Sequence, residues 1–232
     1  MYKQKCMECP SRQDSFFCSM APTAIQKLDQ LKIPQKYSCR DVLFQQGDQA
    51  KGLYCIQTGK VKLYKSDTQG HQKIVHIAGP GEMIGYRSMI AEVPFEASAE
   101  CIENSTMCFI HKKDFEQLLK NDVEFLMKVT RSLAKSLGQA QTNELNLAHK
   151  HIDQRFADLL VYLSNRFGKN CSEGIKIDLN LSRQEIADFI GSTQESAIRI
   201  MSTFKKIGII QVDKKCITII DHNKLVEMVA SI

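Results

Sequence analysis

Cys6, Cys9 and Cys18 fall within thirteen residues of a polar leader, M-Y-K-Q-K-C-M-E-C-P-S-R-Q-D-S-F-F-C-S-M, that offers nothing apolar to bury. Thiolates crowded in this way are ligands for a tetrahedral metal or an iron–sulfur cluster, and either takes four. Three are one short. The candidates for a fourth are Cys39, Cys55, Cys101, Cys108, Cys171 and Cys216. Cys55 lies in L-Y-C-I, a strand-like run where a small buried thiol is the ordinary role. Cys108 lies in S-T-M-C-F-I, just ahead of a long helical segment. Nine cysteines is an odd count, so they cannot all pair within one chain. Cys6-x-x-Cys9 could also serve a thiol-redox enzyme, but the βαβ context of that chemistry is missing. His71, His76, His111, His149, His151 and His222 form no haem-ligation motif.

A second group of residues suits base reading. In L-S-R-Q-E-I-A-D-F-I-G-S-T-Q-E-S-A-I-R-I-M-S-T-F-K-K-I-G-I-I (Leu181–Ile210), Ser182 and Glu185 make a capping box that opens a short helix. That helix turns Ile186 and Ile190 inward and ends at Gly191. Ser192 or Thr193 caps a second helix with Ala197, Ile200 and Phe204 on the core face. Gln194, Glu195, Ser196, Ile198 and Arg199 remain outside, on its first turns. This is the pattern of a helix-turn-helix. Arg199 can donate a bidentate pair to guanine, and Glu195 can accept from cytosine N4. Arg183, Lys205, Lys206, Lys214 and Lys215 stand where phosphates would pass. Thr218 and Ile219 read as the returning strand of a wing. An ordinary helical hairpin with solvated charges is the plain alternative.

These groups need elements to hold them. From about Cys39 to Ile110, runs such as Val42–Asp48, Gly52–Tyr64 and Lys73–Ile77 are rich in β-branched and aromatic residues and separated by glycine turns. They predict an antiparallel sandwich or barrel, with Val61, Leu63 and the Lys65 stem sharing one face. From Lys113 to His149 the residues are mostly helix formers. Leu119, Leu126, Leu133, Ala140 and Leu147 recur every seven positions, with Leu137 four after Leu133, which is a coiled-coil seam. A homodimer follows, unless the helix lies on its own domain. The polar H-K-H-I-D (His149–Asp153) marks a boundary, and a further helix ends near Phe167-Gly168, where glycine suits a C-cap.

The formal net charge is +5, and residues 151–232 carry only +1 of it, so if the C-terminal part binds DNA it must do so through local clusters. No run approaches 18 consecutive apolar residues and the N-terminus lacks a signal-peptide core, so the expected setting is cytoplasmic, without a membrane, and with reduced thiols. No triad, P-loop or paired acid–base motif appears, which argues against an enzyme.

With R-Q-E-I-A-D-F-I-G and Q-E-S-A-I-R on the page, the whole chain resembles a Crp/Fnr-superfamily transcription regulator. The resemblance implies an α+β chain: leader 1–18, a cyclic-nucleotide-binding-like β-roll 19–112, a dimerisation helix 113–150 and a winged helix-turn-helix 151–232. It implies DNA as ligand and RNA polymerase as partner, with Glu195 and Arg199 at the positions that read the core of a TGA-like half-site. Ile198 stands where Fnr-type members often carry serine. In Ile84–Glu100, Tyr86 replaces the ribose-binding glutamate and Ala97 the phosphate-pairing arginine of the cAMP-binding members, so cAMP is not expected. Fnr-type oxygen sensors hold a [4Fe–4S] cluster with three leader cysteines and one ahead of the dimer helix. Cys6, Cys9, Cys18 and Cys108 match those positions, although Cys9 and Cys18 are spaced wider than in the best-known members. A regulator without a cluster and a zinc site are the alternatives.

Overall fold

The computed structural model describes residues 5–13, 15–18 and 20–230; the leader's Met1–Gln4, Asp14 and Ser19, and the last two residues, lie outside the described residues. The chain divides into two compact units, Met1–Gly138 and Gln139–Ile232.

In the first unit a single 3-10 turn, Cys6–Glu8, precedes helix α1 (Pro22–Leu31), which starts on proline because its missing N–H costs a helix nothing there. The strands are β1 (Ile33–Tyr37), β2 (Val42–Phe44), β3 (Gly52–Thr58), β4 (Val61–Ser66), β5 (Gln72–Ala78), β6 (Met83–Ile84), β7 (Ser98–Cys101) and β8 (Ser105–His111), with a short α2 (Tyr86–Ile90) after β6. They pair antiparallel in two sheets, ordered β1-β8-β3-β6 and β2-β7-β4-β5, as the strand and turn signals predict. The expected alternation on β4 is only half kept. Val61 is buried, but so are Lys62 and Tyr64, because both faces are covered. Lys62 is held there by Glu100 at 3.2 Å.

The leader differs from its sequence reading. Phe17 and Met20 are buried in the core with Ile25, Leu28 and Phe125. An aromatic pair in a polar stretch was enough to anchor it.

The long helix also differs. It is two helices, α3 (Lys112–Asn121) and α4 (Val123–His149), broken at the extended Asp122. The Asp122 carboxylate accepts the Phe125 N–H at 2.9 Å and so caps α4, which is the work of an N-cap aspartate. Leu119 therefore lies on a different helix from the rest of the expected seam. Leu119 and Leu133 pack against the core of their own unit, whereas Leu126, Leu137 and Leu147 are exposed. The two units meet at Gly138, inside α4, and not at the polar His149–Asp153 stretch.

The second unit holds α5 (Ile152–Phe167), β9 (Gly168–Cys171), β10 (Gly174–Ile177), α6 (Arg183–Ile190), α7 (Gln194–Lys206), β11 (Ile210–Asp213), β12 (Cys216–Ile219) and α8 (His222–Ala230). Its sheet runs β11-β12-β10-β9. The hairpin β9–β10 has no counterpart in the sequence reading, since its residues are mostly exposed and show little alternation. Gly168 is not a left-handed cap. Its φ is −75°, and it is glycine because a Cβ would meet the Ser164 carbonyl oxygen at 2.2 Å. Phe156 and Phe204 meet edge to face at 5.0 Å in the centre of this core.

Candidate metal centre and nucleic-acid interface

A small cavity of about 40 Å³ lies between the leader, α1 and strands β3 and β8. Four thiols line it: Cys6, Cys9, Cys55 and Cys108. Cys6 is placed by its own backbone N–H, which donates to Asp29 Oδ1 at 2.7 Å. Lys32, one turn on from Asp29, donates to Asp29 at 2.7 Å and to Cys6 Sγ at 3.1 Å. Cys9 Sγ lies 3.3 Å from Ser11 Oγ, and Ser11 donates to the Ile56 carbonyl on β3 at 3.3 Å. Gln57 Nε2 donates to Cys108 Sγ at 3.2 Å.

Burial decides the protonation of these thiols. It pushes Cys6 up to about 12 against the pull of Lys32, and Cys108 up to about 11. Cys55 is raised well above the ordinary thiol value by the same cause. For Asp29, burial acts upward but the hydrogen bonds from Lys32 and Cys6 outweigh it, leaving the carboxyl below its ordinary value.

The expected set of Cys6, Cys9, Cys18 and Cys108 is thus only partly together. Cys18 is exposed and accepts a hydrogen bond from Lys128 Nζ at 3.0 Å on α4. Cys55, read as an ordinary strand thiol, lines the cavity instead. Alternation puts Cys55 and Gln57 on one face of β3, but that this face meets Cys108 and the leader is set by the β3–β8 register and not by any local signal. Donor chemistry and charge suit a thiol-ligated group, and two buried polar atoms on the cavity walls, Arg12 Nε and Gln57 Oε1, lack a protein partner. Among the described residues, however, no three His, Cys, Asp or Glu side chains are gathered closely enough to hold a metal ion.

The second site is the helix pair α6–α7. The capping box is present in both directions: Glu185 N–H to Ser182 Oγ at 3.1 Å, and Ser182 N–H to Glu185 Oε2 at 2.8 Å. Gly191 closes α6 at φ 65°, a left-handed conformation that a Cβ would strain. Of the two cap candidates, Thr193 does the work, accepting the Ser196 N–H at 3.3 Å. Ala197 and Phe204 face inward as expected, but the third core position is Met201, with Ile200 only half-buried. Gln194, Glu195, Ile198 and Arg199 are exposed on the first turns, and Ser196 is half-buried. The Glu195 carboxyl is held below its ordinary range by its own backbone N–H and the Thr193 hydroxyl. It is therefore an acceptor at neutral pH. Lys205 and Lys206 are exposed at the end of α7, and Lys214 and Lys215 form the turn of the β11–β12 hairpin. Arg183 is partly buried, and its guanidinium donates to the Lys214 carbonyl at 3.0 Å.

A two-sheet roll and a helix-turn-helix with a β-hairpin wing, in one chain, define a class of DNA-binding regulators. The cyclic nucleotide-binding domain family matches residues 34–122, and the Crp-like helix-turn-helix domain family matches residues 154–228. The chain belongs to the Crp/Fnr superfamily of transcription regulators. It is 28% identical to the electron transport regulator A of Shewanella oneidensis, over 90% of this chain and 87% of that one. It is 26% identical to the fumarate and nitrate reduction regulatory protein of Vibrio cholerae, over 96% and 89%. FixK2 from Bradyrhizobium japonicum shares the fold with a TM-score of 0.78 at 23% identity, over 87% of this chain and 98% of that one. Among the described residues no helix is long and apolar enough to cross a membrane.

Proposed function

We propose that this regulator is a homodimer that binds a palindromic DNA site, works with RNA polymerase in the cytoplasm, and senses oxygen or redox state through an iron–sulfur cluster on its thiols. The observation that carries the reading is one cavity lined by leader thiols Cys6 and Cys9 together with the strand thiol Cys108. Lys32 supplies a cation beside Cys6, and Arg12 also lines the wall, so thiolate charge has compensation at hand.

Cys6, Cys9 and Cys108 would hold such a cluster, which would supply an oxidant-labile cross-link between their thiolates. The rest is done by the chain. Cys6 ties the leader to α1 through its N–H on Asp29, and Ser11 ties it to β3 by donating to the Ile56 carbonyl at 3.3 Å. The leader in turn stacks Phe17 on Phe125 of α4, with ring centroids 5.3 Å apart. Lys128 of α4 donates to the Ser15 carbonyl at 3.0 Å, a second tie between the same two segments. A change in how the leader is fastened therefore reaches α4 through direct packing, and α4 offers Leu126, Leu137, Ala140 and Leu147 to a second copy. On α7, Arg199 and Glu195 then meet base edges while Lys205, Lys206 and Lys214 meet phosphates.

Anaerobic purification tests the reading. Iron and acid-labile sulfide in equal amounts, a Mössbauer signature of a [4Fe–4S] centre, and a mobility shift on a TGA-containing palindrome that weakens in air are expected. A colourless, iron-free protein after anaerobic reconstitution would remove the sensor reading and leave a clusterless DNA-binding regulator.

A further inference from the structure

We infer, given the thiol-ligated group proposed above, that Cys55 and not Cys18 completes the ligand set with Cys6, Cys9 and Cys108. Cys55 and Cys108 are direct cross-strand partners in the β3–β8 register, and both line the cavity. Residues directly opposite on antiparallel strands project to the same face with Cβ atoms about 4.5–5.5 Å apart, which suits two ligands of one centre. Two leader thiols then face two strand thiols. Cys18 lies on the surface against Lys128 and is not among the lining residues.

A second observation points to a ligand in the same place. Gln57 is 4% exposed, lines the cavity, and donates to Cys108 through Nε2, while its Oε1 has no partner. Arg12 also lines the cavity, and its Nε is likewise buried and unpaired. Buried polar atoms without partners are rare in folded proteins, and each needs a reason. For Arg12 Nε a thiolate sulfur is such a reason, since N–H groups around thiolate ligands are what tune a metal–sulfur centre. The spacing also fits. Cys6-x-x-Cys9 reaches the two strand thiols from one turn of chain, so the wide Cys9–Cys18 interval carries no ligation constraint. Loading requires the Cys6–Glu8 turn to close on the strands, because the four thiols line the cavity without yet meeting at one point.

The full-length protein is reconstituted anaerobically with ferrous iron and sulfide as wild type, Cys18→Ser, Cys55→Ser and Cys55→Ala. Cys18→Ser should keep the wild-type iron and sulfide content and visible charge-transfer absorbance. Both Cys55 variants should lose at least tenfold of the bound iron, while the metal-free Cys55→Ala melts close to wild type. Iodoacetamide should label Cys18 in the loaded protein. Loss of iron from Cys18→Ser with retention in Cys55→Ala, or protection of Cys18 on loading, would overturn the inference and leave the cluster reading standing. Zinc bound in place of iron with the same dependence on Cys55 would uphold the four-thiol set and overturn the cluster. An iron- and zinc-free wild type would overturn both.

Discussion

Thiol chemistry at the residue scale follows burial. With Cys6 pushed up to about 12 and Cys108 to about 11, their thiolate fractions at pH 8 are roughly 10⁻⁴ and 10⁻³, and the thiolate is the form that reacts. Brief alkylation of the metal-free protein at pH 8 should therefore label the exposed Cys18, Cys39 and Cys171 first, with Cys6 and Cys108 lagging by orders of magnitude in peptide mass mapping. Raising the pH toward 11 should shrink that gap, because the raised values mean that more thiolate appears only at higher pH. On α7, Arg199→Ala should cost on the order of 1–3 kcal/mol in specific binding and relax preference at one guanine. Fluorescence anisotropy against single-base variants of the site reads both effects. The exposure of the residues proposed to read bases was legible in the sequence because a capping box and a glycine fix the helix phase. Cys55 was not. Its partnership with Cys108 depends on a strand register set between residues 53 positions apart in the chain, and local pattern carries no such information.

At the scale of elements, α4 is where the sequence pattern and the packing part company. The seven-residue repeat is real, but its members divide between two tasks. Leu119 and Leu133 serve the core of the first unit, and Leu137 and Leu147 are 61% and 45% exposed. Phe125 and Val129, off the repeat, are the buried residues of the helix. A heptad count cannot see this division, since both faces of a half-buried helix need leucine. The break at Asp122 was within reach: Asn121-Asp122 ahead of an apolar run is a helix-start signal. Leu137→Glu should give monomers in sedimentation, with a melting temperature that no longer rises with protein concentration because the stabilisation by association is lost. Leu133→Glu should instead destabilise the first unit by about 1–3 kcal/mol, through a charge placed against an apolar core.

For the molecule as a whole, charge is spread so that the DNA-binding part is nearly neutral, +1 over residues 151–232. Affinity must come from where the lysines stand. Lys205→Ala should weaken binding evenly across sequences and reduce the slope of log K against log salt by about 1. The β-roll and the winged helix-turn-helix were both readable at this scale from turn spacing and the α6–α7 pattern. The packing of the leader was not, because Phe16-Phe17 is too short a run to announce a core. One contact in the second unit has a thermodynamic consequence. The Arg183 guanidinium holds the Lys214 carbonyl at 3.0 Å, and Lys214 sits at φ 53°, an uncommon backbone state for lysine. The wing turn is thus ordered before any DNA arrives. Its conformational entropy is spent in folding, so the phosphate contact proposed for Lys214 would add to affinity without an ordering cost at the moment of association.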